Sequence, residues 1–252
     1  MLRQLCPLKG GHYVLLALLA FPGVAHAQWT DHARISINAG IQQPASTTFT
    51  STTTKSVFLE TASINATYDV PKSQFFDGGV LVRVKGGFGV GVAVSSFSKT
   101  SGATIAGSIP HPFFFNTPRT LTGSASSLER SETGVHIQAA YVVSSKHIDV
   151  AISGGPTFFN VSQDMVADAA YTDVYPYDTV TFTSATISKA SATKLGFNAG
   201  ADVGVKFSKN VGVGGLIRFS RATVNFPLAG TASGVSADVG GLQAGGGVRL
   251  YF

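Results

Sequence analysis

Charged residues are scarce in this chain of 252: Asp, Glu, Lys and Arg make up only 12%, about half the share usual in a soluble domain. Long apolar runs are missing too. Although 44% of residues are hydrophobic, no stretch approaches the roughly 18–20 consecutive apolar residues of a membrane helix. The hydrophobic residues come in short pieces divided by Gly, Ser and Thr. A helical membrane protein is thereby excluded, a helical soluble domain fits poorly, and the composition points to an all-β chain. Cysteine is nearly absent. The one present, Cys6, lies in a segment expected to be removed, so no disulfide, thiolate nucleophile or Cys-ligated metal is expected.

That segment is residues 1–27. Arg3 and Lys9 form a basic start, Tyr13 to Phe21 is an apolar stretch closed by Pro22-Gly23, and Ala25-His26-Ala27 has the small-x-small form of a signal-peptidase site. The stretch is too short to cross a bilayer, and Cys6 precedes it, which argues against a lipoprotein. Residues 28–252 are then expected to form one domain. Without Arg3 and Lys9 the 18 basic residues fall to 16 against 13 acidic ones, a net charge of +3. Neither that charge nor an exported location suits a nucleic-acid partner.

What is present is alternation. Over 193–208, Leu195, Phe197, Ala199, Ala201, Val203, Val205 and Phe207 share one face, while Lys194, Asn198, Asp202 and Lys206 share the other with three glycines. A period of two is a strand between two different environments. The same division marks 34–42, 79–85, 88–98, 132–143, 147–157, 211–220 and 239–252, and Gly154-Gly155-Pro156 suggests a bulge in the fifth strand. Eight strands result. Three connections are very short, and four are long, at 43–78, 99–131, 158–192 and 221–238. Val57–Tyr68 is also strand-like and reads as part of a tall hairpin between the first two strands. An even number of strands with short and long connections in turn is the wiring of an antiparallel up-and-down transmembrane β-barrel, with short periplasmic turns and long extracellular loops.

A soluble barrel alternates as well, but with its apolar face inward. Here the polar faces are rich in Gly, Ser, Asn and Gln, which suits the narrow interior of eight strands better than a solvated surface. The charges on those faces have both signs, so a buried ion-pair network is expected from Arg34, Arg83, Glu132, His136, Asp149, Lys194, Asp202, Lys206, Arg218 and Arg249. Aromatic girdles are expected at Phe88, Tyr141, Phe207 and Phe252 beside the short turns, and at Phe158, Phe159 and Phe226 at the other ends.

The leader, the eight alternating strands and the closing Gly247-Val248-Arg249-Leu250-Tyr251-Phe252 together resemble the small bacterial outer-membrane β-barrels of the OmpA-like and OmpW-like type. Gly247, Leu250 and Phe252 resemble that family's signal for the barrel-assembly machinery, although Gly245 stands where a polar residue is usual. The resemblance implies an outer-membrane location, contact with membrane lipid and lipopolysaccharide, and a monomer; no peptidoglycan-binding domain is expected after the last strand.

Signs of catalysis are weak. His32, His111, His136 and His147 have no metal-ligand spacing, and no cofactor is expected. His136 could act as a base near Glu132, but a hydrogen-bonded interior histidine is the plainer reading. The glycine pairs lack the helix and Lys-Ser/Thr of a phosphate loop. Two expected loops stand out: one carries Phe113, Phe114 and Phe115 between prolines, the other Tyr171, Tyr175 and Tyr177. These rings could meet a partner or pack the loops into a cap. The sequence is read as a non-catalytic barrel with a structural or interaction role through its outer loops. The competing reading is an OmpW-like channel for small hydrophobic molecules, with interior glycines leaving open volume.

Overall fold

The computed structural model describes residues 29–231 and 234–252, so the expected leader lies outside the described residues. Ten strands follow in order: β1 (Ala33–Pro44), β2 (Thr48–Val57), β3 (Glu60–Asp69), β4 (Ser73–Lys85), β5 (Phe88–Ile109), β6 (Arg119–Ser144), β7 (Ile148–Asp173), β8 (Val180–Lys206), β9 (Val211–Phe226) and β10 (Val235–Tyr251). Eight of them form a ring in the order β5-β4-β1-β10-β9-β8-β7-β6, closed because β6 pairs back onto β5. All ring pairs are antiparallel. β2 and β3 make a hairpin that joins only the upper part of β5, with Ser63–Tyr68 set against Ala103–Ser108. The Val57–Tyr68 segment is thus part of a raised hairpin, as the weak alternation suggests.

The strands are longer than the sequence pattern predicts. β5 to β8 run for 22, 26, 26 and 27 residues, whereas crossing a membrane takes about 9–11. Most of what reads as loop at 99–131 and 158–192 is therefore strand, and only the tips at 110–118 and 174–179 connect. Alternation hides this because the chemistry of the two faces changes partway up. On β5 the outward row is Phe88, Val90, Val92 and Val94, all substantially exposed; above Ser96 it becomes Ser98, Thr100 and Thr104. The inward row changes the other way, from Gly91, Ala93 and Ser95 to Phe97, Ala103, Ile105 and Ile109. β7 repeats the exchange, with Ile152 and Phe158 facing out below and Phe159, Val161 and Met165 facing in above. The lower part is built for hydrocarbon outside, and the upper part for water.

The belt has the right height. On β8 the outward apolar row from Leu195 to Val205 covers ten steps. At about 3.3 Å each and a tilt of about 45°, that is roughly 23 Å along the membrane normal, near the usual apolar band of about 25 Å.

Above the belt the wall divides. The β6–β7 ladder stops at Arg130 and Gln163, and the β8–β9 ladder at Phe197 and Arg221. A sheet of β2, β3, β5 and β6, a β7–β8 ribbon and a β9–β10 ribbon then close on a common apolar core that includes Ile64, Tyr68, Ile105, Leu121, Met165 and Phe226. Phe159 and Phe226, expected in a membrane girdle, belong to this core and are 2% and 0% exposed. The rings at the upper edge of the belt are instead Phe76, Phe158, Phe197 and Phe219. Nor is there a bulge at Gly154–Pro156. The pairs His136–Thr157 and Ala139–Gly154 keep one register, and the ladder lapses only over Ile137 and Gln138, opposite Pro156, which has no N–H to give, and Gly155.

Candidate functional site

The belt encloses a continuous chain of polar side chains. Beginning near the turns, the Tyr251 hydroxyl donates to Asp149 (2.9 Å), and Arg34 pairs with Asp149 (2.8 Å) and Asp202 (3.2 Å). Arg249 holds Asp202 and donates to Asn38, which donates to Asp77. Arg218 donates to Asp77 (2.6 Å) and to Gln243; Gln243 reaches Gln42, and Gln42 reaches Glu132. Glu132 accepts from Arg130 at 2.7 Å and from the backbone N–H of Gly240. Four arginines thus face four carboxylates, all eight residues buried. An interior surrounded by lipid needs this balance, because an unmatched charge there would cost several kcal/mol.

The expected network residues divide between this chain and other places. Arg34, Glu132, Asp149, Asp202, Arg218 and Arg249 belong to it. His136 is fully buried but sits apart, between Ser95 Oγ (2.9 Å on Nε2) and Thr157 Oγ1 (2.9 Å on Nδ1), with Asn198 donating to Thr157. Glu132 turns to Arg130 instead. Arg83 and Lys206 sit at the turn end, where Arg83 donates to the Trp29 carbonyl and Lys206 pairs with Asp31 over the Tyr251 ring. Lys194 is exposed and lies outside the network, because β9 has already left β8 at that height. Asp77 and Arg130 were missed: both fall in segments that read as long connections. A strand beginning at Ser73 would have put Asp77 on the polar row of Leu81 and Arg83.

The interior is also full. A gap of about 40 Å³ beside Arg34, Asn38, Asp77 and Arg218 has room for only a few waters. Trp29, Leu81, Ala140, Val142 and Ala151 fill the turn end, and the head core closes the other. The interior glycines do not leave open volume. A Cβ on Gly204 would fall 2.4 Å from the Tyr251 hydroxyl, and one on Gly214 would fall 3.0 Å from Arg249 Nε. These positions are empty so that large side chains can cross them. Gly247 is tighter still, with the Ile37 carbonyl 1.8 Å from where a Cβ would stand. Leu250 lies on the outward row, and Phe252 is exposed beside it.

At the far end three tips meet. Arg119 holds Asp173 (2.7 Å) and the carbonyls of Tyr177 and Pro110, while Asn116 N–H donates to Glu60 at 2.9 Å. Phe113 stands edge-on to Tyr177, with ring centroids 5.6 Å apart. Tyr171 packs inward against the head core. So the loops do pack at their bases, yet their outermost side chains stay free. Phe58, Leu59, Phe113, Phe114, Phe115, Val174 and Tyr175 are all between 48% and 91% exposed. This crown of apolar side chains stands on the water side, where nothing in the fold requires it.

A closed antiparallel ring with an apolar outer belt and a charge-balanced polar inside has one setting. The chain has the fold of a bacterial outer-membrane β-barrel. No protein-family model matches it, and no curated protein does. Among solved structures it is similar to the outer-membrane protease OmpT of Escherichia coli, at 6% identity over 89% of this chain and 98% of that one, with a TM-score of 0.52. It also matches Ail, the attachment invasion locus protein of Yersinia pestis, at 10% identity over 88% and 99% of the chains (TM-score 0.40). Neisserial surface protein A matches at 12% identity over 87% and 97%, with a TM-score of 0.36. The likeness to OmpT concerns the fold alone.

Proposed function

We propose that this outer-membrane barrel is a non-catalytic interaction protein that meets its partner through the aromatic crown, standing as a monomer among outer-membrane lipid and lipopolysaccharide. The observation that carries the reading is the set of seven exposed apolar side chains gathered from three tips that the structure otherwise ties together with care. Burying such rings against a partner is favourable by about 25 cal/mol per Å² of apolar surface. The Ser95–His136 pair gives no support to hydrolysis, being sealed within the barrel. Leu250 and Phe252 on the outer face are where the assembly machinery would read them.

The test is retention of cells that display the barrel on protein-coated and glycan-coated surfaces. Replacing Phe113, Phe115 and Tyr175 by serine, at equal display, should lower retention about tenfold or more on the surface that carries the partner, the size expected for a contact centred on buried rings. Equal retention by both forms on every surface would sink the reading. The channel reading keeps its own test in planar bilayers, where a filled interior predicts no steady ion conductance.

A further inference from the structure

His111 is the odd member of the crown. It is buried, at 3% exposure, at the base of the loop that presents Phe113, Phe114 and Phe115. Its Nδ1 accepts the backbone N–H groups of both Phe113 (3.1 Å) and Phe114 (3.3 Å), so the neutral ring must carry its proton on Nε2. That Nε2 is buried with no hydrogen-bond partner among the described residues, and the nearest carboxylate oxygen, on Asp178 of the β7–β8 tip, is 3.7 Å away. Asp178 is itself well exposed to water. The other charged groups packed around the loop are already engaged: Arg119 on β6 with Asp173 and the Pro110 carbonyl, and Glu60 at the β2–β3 tip with the Asn116 N–H. The Phe114 ring lies 4.8 Å from the imidazole.

We propose that His111 is a proton-operated latch on the crown. A proton taken from solvent forms a second ring N–H at Nδ1, and the two backbone N–H groups lose their acceptor. Asp178, open to water and 3.7 Å from Nε2, is the counter-charge nearest the ring. Protonation of the ring therefore releases the turn at 111–114 and reorients the three phenylalanines. This rests on the crown being the contact surface, since it makes that contact pH-dependent, but its test needs no partner.

The amide resonances of Phe113 and Phe114 would be followed by NMR on the whole barrel in detergent micelles between pH 8 and 5. Both should shift together with one midpoint. His111→Asn offers an acceptor oxygen that does not titrate, so the shift should be lost while the loop stays folded. Asp178→Asn, at an exposed position, should keep the shift and lower its midpoint, because the counter-charge nearest the protonated ring is gone. Amides that do not move, a shift that persists in the His111→Asn protein, or an unchanged midpoint in the Asp178→Asn protein would each overturn the latch. A latch without any crown-dependent retention would overturn the proposed function alone.

Discussion

Single side chains carry this barrel because its interior has so few ways to compensate. Asp77 accepts from Arg218 and Asn38 and is 5% exposed. Asp77→Ala would leave Arg218 buried with a glutamine as its remaining partner, and the loss should be about 3–5 kcal/mol. Replacing both residues by apolar ones of similar volume should cost much less. Urea unfolding, followed by the fluorescence of Trp29, the one tryptophan, checks both. In the head, the Tyr68 hydroxyl meets Ser51 Oγ and accepts from the Val166 N–H. Burial pushes its phenol above the ordinary tyrosine range, and the two hydrogen bonds offset this only in part. A raised folded value means that the head is fully stabilised below about pH 10 and weakens as the phenol ionises above it. Tyr68→Phe should lower head stability by about 1–3 kcal/mol near neutrality through the orphaned Val166 N–H, and should remove its part of the alkaline loss. Protease sensitivity of the head across pH reports on both.

Each long strand from β5 to β8 is two strands in one, joined where the apolar face changes sides. A basic residue should therefore have opposite consequences at two positions on one face of β5. Val92→Arg puts a charge against hydrocarbon and should cost about 2–4 kcal/mol, whereas Thr104→Arg, on the same outward row, should cost almost nothing. Heat-modifiable mobility in gels, read on the two variants, would show whether the membrane surface lies between them. The same exchange explains what was legible in the sequence. Period two is clear at 193–208 because outward Leu195 to Phe207 is uniformly apolar. At 99–131 it is lost to the eye: Ser98, Thr100 and Thr104 face water while Ala103 and Ile105 face the core, and the register shifts between Ser101 and Ala103. The ring, its strand order and six of the eight paired interior charges could be read from pattern. Asp77 and Arg130 escape it, since seeing them requires extending β4 and β6 beyond the stretches where alternation is plain. The crown rings were visible as residues, but their gathering with Phe58 and Leu59 depends on a hairpin whose height no local pattern specifies.

Among the described residues the interior is divided into a polar lower part and an apolar upper part. Phe226→Ala in the upper core should cost about 3–5 kcal/mol and make the head sensitive to protease, while the ring below stays resistant to heat in detergent. Equal loss of head and ring would mean that they unfold as one. Of the strands that carry the crown, β5 to β8 run unbroken from head to ring, and this has a mechanical result. A pull at Tyr175 is transmitted along β7 and β8 and loads their ladders with β6 and β9 in shear, so that many rungs resist at once. Held by its tip, the molecule should behave as a stiff tether that gives way in one large step rather than paying out slack.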